Sequence, residues 1–204
     1  MRLLPSGSSS LLVELDDLDA VLALYAALSA DRLYGVIDLV PAAQTLLVVT
    51  DPSATSLGAI AAALRTTKPR YDEQQKGELV EIPVTYDGED LDELGSLLDC
   101  DADEVVRRHR EHEWRVAFCG FAPGFGYLTS SAWSWNVPRR SSPRTKVPTG
   151  SIALAGEFSG VYPRESPGGW QLIGRTDLAV FDLSREPAAL LRPGNRVRFV
   201  DVAR

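Results

Sequence analysis

Two cysteines, two histidines and one methionine are the whole of this 204-residue chain's sulfur and imidazole chemistry. Cys100 and Cys119 are too few for a disulfide framework, although one bridge between them stays open. His109 and His112 lie three apart on an expected helix with no evident third ligand, so no metal site is expected. Long apolar runs are also missing. The most apolar stretch, Val21 to Ala30, is flanked by Asp19 and Asp31 and falls short of the roughly 18 residues of a membrane span. The segment Met1-Arg2-Leu3-Leu4-Pro5 breaks into Gly and Ser before an apolar core forms; a signal peptide is not expected, and the expected address is the cytoplasm. Basic charge is scarce. There are 21 Lys and Arg against 28 Asp and Glu, a formal net charge of 21 − 28 = −7, and they form no long stripe with interleaved aromatics, which argues against nucleic-acid binding.

What is present is a globular composition, 45% hydrophobic and 24% charged, which excludes disorder, collagen-like repeats and a bare coiled coil. The length suits one large domain or two small ones. Charge is divided unevenly: residues 1–113 carry 9 basic and 22 acidic side chains (9 − 22 = −13), residues 114–204 carry 12 and 6 (12 − 6 = +6). A small anionic ligand or an acidic partner at the second half would fit this division, and so would two plainly solvated faces.

Hydrophobic periodicity predicts a strand over Ser8–Leu15, an amphipathic helix over Leu18–Ala30 capped by Asp16 or Asp17, a hairpin of Val36–Pro41 with Leu46–Val49, and a helix from Thr55 or Ser56 through Leu64. The charged stretch Lys68 to Gly77 is expected to be mobile, and the alternation from Leu79 to Val84 predicts a further strand. The order β-α-β-β-α-β is the split ferredoxin-like arrangement. Tyr86-Asp87-Gly88-Glu89-Asp90 is turn chemistry, which sets a domain boundary at Asp87: residues 1–87, then 88–204. Asp90 or Asp92 is a candidate cap for a short helix through Leu97, and Asp101 to about Glu113 reads as another helix. From Gly120 to Gly174 lie 9 of the 16 glycines and 6 of the 13 prolines without sustained helical periodicity, so this half reads as a β-barrel or sandwich. It ends in an alternating strand, Asn195 to Val200.

Three segments carry candidate chemistry. Phe118 to Leu128 sets aromatics around Gly120, Pro123, Gly124 and Gly126; Phe121, Pro123, Phe125 and Tyr127 would wall a pocket lip, and a glycine-kinked strand at a barrel corner is the equal alternative. Its glycine spacing matches neither a phosphate loop nor a dinucleotide fingerprint. Between Val137 and Ser151, cations alternate with prolines, and Arg139, Arg144 and Lys146 make a candidate anion clamp or else a solvated loop. Ser151 has no paired base that would make it a nucleophile. In Gly160 to Trp170, Tyr162, Ser166 and the amides of Gly168 and Gly169 are candidate hydrogen-bonding groups for a small amide or carboxylate, with Trp170 as a wall. His109 is a candidate proton-transfer group, and Cys119 reads as a small buried hydrophobe.

Tyr86-Asp87-Gly88-Glu89-Asp90-Leu91, His109 five residues before Trp114, Gly120 to Leu128, Pro138-Arg139-Arg140 to Gly150-Ser151, and Tyr162-Pro163 to Gly168-Gly169-Trp170 together resemble the allophanate hydrolase subunit 1 family, which includes the B-type subunit of 5-oxoprolinase and the Kip-type inhibitor of a sporulation histidine kinase. The resemblance spans nearly the whole chain, departing at Trp114, where a tyrosine is usual, and at Cys119. It implies an α+β protein with an N-terminal ferredoxin-like domain and a C-terminal cyclophilin-like β-barrel. It further implies a subunit of a heteromeric ATP-dependent amide hydrolase, with ATP and Mg at the level of the complex, acting with a subunit 2 barrel homologue and a larger lactam-hydrolysing subunit. 5-Oxoproline is the favoured substrate over allophanate, since this chain lacks an amidase signature. On this mechanism Arg139, Arg144 and Lys146 would neutralise carboxylate or phosphoryl charge, and the Gly168 and Gly169 amides would hold the amide oxygen. Inhibition of a sensor histidine kinase is the alternative function. Prolyl isomerisation, suggested by barrel type alone, does not follow from a fold.

Overall fold

The computed structural model describes residues 1–71 and 77–202, and the chain separates into two compact units, Met1–Gln74 and Gln75–Arg204. In the first, β1 (Arg2–Ser6) and β2 (Ser10–Glu14) form a hairpin turned at Gly7, whose φ of 66° favours glycine. Asp17 starts α1 (Leu18–Ala30) by accepting the Ala20 N–H at 2.8 Å. The hairpin of β3 (Val36–Pro41) and β4 (Thr45–Thr50) follows, and Ser56 caps α2 (Leu57–Thr66) through the Ala59 N–H. The strands lie in the antiparallel order β1-β2-β4-β3. Alternate residues face one way, so Leu11, Val13, Leu46 and Val48 meet Val21, Leu24 and Leu28 of α1 and Ile60 and Leu64 of α2 in one core. Each such side chain contributes roughly 1.5–3 kcal/mol by its burial.

Two features of this unit differ from the sequence reading. Arg2–Ser6 is an additional edge strand; it contains Pro5 and buries little, so it carries almost no periodic signal. The strand expected to complete the β-α-β-β-α-β order, β5 (Leu79–Val84), does not join this sheet. β1 takes the place beside β2 that the last strand of that order would fill. The expected boundary at Asp87 therefore moves ahead of β5. Alternation marks a segment as a strand but leaves its partner unspecified, and the partner here lies more than 100 residues along the chain. Of the Lys68–Gly77 stretch, residues 72–76 lie outside the described residues.

The second unit continues with α3 (Leu91–Leu97), α4 (Ala102–Glu111), β6 (Trp114–Cys119), β7 (Gly126–Thr129), β8 (Arg144–Val147), β9 (Ser151–Ala155), β10 (Phe158–Val161), β11 (Ser166–Gly168), β12 (Gln171–Arg175) and β13 (Arg196–Asp201). Seven strands make one sheet in the order β12-β9-β10-β7-β6-β13-β5, with β5 and β13 parallel over six residue pairs. Reciprocal backbone bonds between Thr85 and Arg175, both 2.9 Å, join the ends of the two edge strands. The sheet is thereby nearly closed on itself, as the clustered glycines and prolines predicted for this half. Its interior holds Ile82, Val84, Val116, Leu128, Ile152, Leu154, Ile173, Val197 and Phe199. β8 and β11 pair separately as a two-stranded ribbon. Among the described residues, no helix is long and apolar enough to cross a membrane.

Candidate functional site

The connection from β6 to β7 is wound tightly. Ala122 N–H reaches the Gly120 carbonyl at 2.7 Å and Phe125 N–H the Ala122 carbonyl at 3.0 Å, which forces Phe121 to a φ of 64° and Gly124 to 82°. A left-handed φ is ordinary for Gly124 and costly for Phe121. The result is a Phe121 ring that stands 57% exposed, edge-on to Phe125 (5.3 Å between centroids) and Tyr162 (6.0 Å). Beneath it Phe125 meets Tyr127, Tyr162 and Trp170 at 5.1, 5.3 and 5.4 Å, all edge-to-face. Gly160 of β10 leaves room for this layer, because a Cβ there would lie 2.9 Å from Phe125. Pro123 is exposed at the loop tip. Phe121, Phe125, Tyr127 and Trp170, expected as pocket walls, come together in a single aromatic cluster in which Phe125 and Trp170 are buried and Phe121 is exposed.

Arg144 acts on Tyr162 of this cluster, and Arg139, whose chain neighbours bond Gly169 and Gln171 on either side of Trp170, stands beside it. The Arg139 side chain is exposed, it has no ion pair among the described residues, and its charge acts on the phenols of both Tyr127 and Tyr162. Burial pushes the Tyr162 phenol up to about 12 and raises that of Tyr127, while Arg139 pulls both back. Both phenols are therefore protonated donors at neutral pH. One exposed guanidinium beside the half-buried Tyr127 phenol, on an aromatic cluster in which Tyr162 is buried, suits a small ligand with a carboxylate or a polarised carbonyl.

The other expected members of the anion clamp are committed elsewhere. Asp90, buried to 1% exposure, accepts Arg140 Nη1 at 2.5 Å and Arg144 Nη2 at 2.7 Å on Oδ1, and the Leu172 N–H at 2.7 Å on Oδ2. Arg144 also pairs with Glu89 at 2.9 Å. Arg144 is thus an internal tie, because a buried carboxylate needs its partners more than the loop needs a free cation. Lys146 is exposed and pairs with Glu165 at 3.1 Å. Asp90 sits at the N-terminus of α3, where the sequence suggests a cap, yet its side chain makes no capping bond. Sequence reasoning missed its role, although the turn Tyr86 to Asp90 was singled out; Gly88 of that turn lies against the Leu172 and Ile173 backbone with no space for a Cβ.

The remaining expected groups are placed as follows. Ser151 and Ser166 are both buried; Ser166 donates to the Arg164 carbonyl at 3.2 Å, and the Ser151 carbonyl takes the Tyr162 N–H at 2.9 Å. Gly168 lies in β11 opposite Arg144, and the Gly169 carbonyl accepts the Arg140 N–H at 2.8 Å. His109 belongs to a different environment altogether. Fully buried, it bonds Tyr86 Oη through Nδ1 and Ser159 Oγ through Nε2, both at 2.8 Å, with Phe199 and Trp114 at 4.3 and 5.2 Å. Burial depresses its pKa to about 3, with His112 adding a smaller repulsion. The expectation of a proton-transfer role is corrected: the ring is neutral, both nitrogens are engaged, and no edge reaches solvent. Cys119, read as a small buried hydrophobe, is half-buried, and its partial burial raises the thiol to about 11. No group of three or more metal-ligating side chains occurs among the described residues.

The second unit is thus a nearly closed mixed sheet that carries an aromatic cluster with an exposed arginine beside it. By sequence the chain belongs to the carboxyltransferase domain, subdomain C and D family, which matches residues 1–191. This accords with the family resemblance carried by its motifs. The B-type subunit of 5-oxoprolinase from Escherichia coli O157:H7 is 39% identical over 169 residues, 81% of this chain and 78% of that protein. The crystal structure of TTHA0988 is 37% identical with a TM-score of 0.77, covering 95% of this chain, which spans only 40% of that one. Urea carboxylase of Kluyveromyces lactis, 17% identical with a TM-score of 0.77 over 98% of this chain and 21% of that one, shares the fold.

Proposed function

We propose that this chain is a subunit of a heteromeric 5-oxoprolinase, contributing a binding face for the lactam and lacking hydrolytic activity alone. The observation that carries the reading is the 39% identity to the Escherichia coli 5-oxoprolinase subunit across 81% of this chain. The site chemistry supports it. 5-Oxoproline is a small ring with one carboxylate and one amide carbonyl; Arg139 would take the carboxylate, and the half-buried Tyr127 phenol would donate to oxygen, with Tyr162, Phe125 and Trp170 as the packed support beneath. The amides of Gly168 and Gly169 remain candidate donors to the lactam oxygen. We read the two units as ferredoxin-like, with β1 replacing the last strand, and cyclophilin-like, and the address as cytoplasmic.

Opening a lactam is slow because amide resonance makes the carbonyl a poor electrophile; phosphorylating its oxygen converts that oxygen to a leaving group, which is the physical reason to couple the reaction to ATP. The residues of this chain do not fit a complete Mg-ATP site. The sequence has no phosphate loop, and no metal-ligating cluster occurs among the described residues. We place nucleotide binding at the level of the complex, which would include a barrel homologue and a larger lactam-hydrolysing chain. A tagged pull-down from the native cell, with glutamate release from 5-oxoproline assayed on the eluate, tests this. Co-purified subunits and glutamate only in the presence of ATP are expected; an eluate that carries the partners yet releases no glutamate would sink the proposal.

A further inference from the structure

The segment that carries Arg139 is pinned on both sides of that residue. Before it, Val137 and Gly156 exchange backbone bonds at 2.8 and 2.7 Å, and the Pro138 carbonyl takes Gln171 Nε2 at 3.1 Å. After it, the Arg140 N–H bonds the Gly169 carbonyl at 2.8 Å, and the guanidiniums of Arg140 and Arg144 both converge on one oxygen of Asp90. The other oxygen of Asp90 holds the Leu172 N–H, and the Asp90 N–H in turn bonds the Leu172 carbonyl at 3.1 Å. One buried carboxylate thus fastens the cationic loop to β12, the strand that follows Trp170.

We propose that Asp90 is the positioning residue of the anion site: by engaging Arg140 and Arg144 it fixes the loop so that Arg139, with no ion pair among the described residues, is held between the Pro138–Gln171 and Arg140–Gly169 bonds, opposite Trp170 of the aromatic cluster. Its chemistry suits the task. A carboxylate that accepts two guanidiniums and an amide is held in one orientation, and it removes two of the loop's cations from competition for the ligand. This inference rests on the reading of Arg139 as the cation that meets the ligand's anionic group.

The test is a binding cycle on the full chain. 5-Oxoproline and, separately, inorganic phosphate are titrated while the backbone amide resonances of Phe121 and Gly169 are followed. Arg139→Gln and Asp90→Asn are each expected to weaken binding about tenfold. The double variant should be no weaker than Arg139→Gln alone, since a positioning residue has nothing left to position. Asp90→Glu should recover part of the loss. Should Asp90→Asn fail to fold, Arg140→Gln in the same cycle gives the same comparison with Asp90 still paired to Arg144. Additive losses, unchanged binding in the Asp90 and Arg140 variants, or no response of the parent chain to either probe would overturn the proposal. Glutamate release by the assembled complex is measured on the same variants, so failure of the 5-oxoprolinase reading shows as absent turnover with the binding cycle intact.

Discussion

The Tyr162 phenol fills the space that a side chain on Gly168 would need: a Cβ built there meets Tyr162 Oη far inside contact distance. The glycine is therefore a packing requirement of the aromatic face as well as a candidate amide donor. Gly168→Ala must push the phenol aside or tilt β11, at about 1–3 kcal/mol for overpacking a close contact. Thermal unfolding should show that loss, together with weaker ligand binding. A variant as stable as the parent would mean that the ring and strand yield freely.

His109 makes stability depend on pH. Its folded pKa of about 3 lies below the roughly 6.5 of an unfolded histidine, so between these values the unfolded chain holds a proton that the folded chain does not. Its contribution is complete above about pH 6.5 and is lost as pH falls toward 3, at up to about 1.4 kcal/mol per pH unit. In His109→Gln the urea-unfolding free energy should fall less steeply from pH 6.5 to 4.5, and should be lower at pH 7.5 because the Tyr86 and Ser159 bonds are disturbed. Parallel pH slopes for variant and parent would rule this out.

Phe121 holds a left-handed backbone for the sake of an exposed ring. Phe121→Gly removes the backbone penalty of about 1–2 kcal/mol, and with it two edge-on ring contacts. Stability is expected to stay within about 1 kcal/mol of the parent while 5-oxoproline turnover by the complex falls several-fold. A large loss of stability with unchanged turnover would reduce the ring to a structural lid.

The two cations of β8 should behave differently. Arg144→Ala removes charged hydrogen bonds from the buried Asp90 and should cost about 1.5–3 kcal/mol, with Arg140 remaining as partner. Lys146→Ala breaks only an exposed pair with Glu165 and should cost no more than about 0.5 kcal/mol. Denaturant midpoints measured side by side decide the point, and equal effects would refute the division between internal tie and surface charge.

Apart from the edge strand β1, the elements of the first unit were legible because their signals are local. Asp17 and Ser56 cap the helices that the periodicity places after them, and Leu46 to Val49 pairs with Val36 to Pro41 across a short turn. The barrel character of the second half was legible in its glycines and prolines, and the aromatic cluster in the spacing of Phe121, Phe125 and Tyr127. What sequence order could not supply was pairing at long range. β5 looks like the last strand of the first unit and pairs with β13; Asp90 looks like a helix cap and binds two arginines 50 and 54 residues away. His109, near the aromatic segment in sequence, is sealed in a separate core.

The sequence alone carried the helices, the strands of the first unit apart from β1, the strands β5 and β13 with the barrel character of the stretch between them, the charge division and the family, because caps, alternation and motif spacing act over a few residues. Only the tertiary structure decided which of the loop's cations is free. Arg139, Arg140, Arg144 and Lys146 all carry a cation in one stretch, and a single buried carboxylate from another part of the chain claims Arg140 and Arg144 while Glu165 pairs with Lys146, which leaves Arg139 without an ion pair among the described residues.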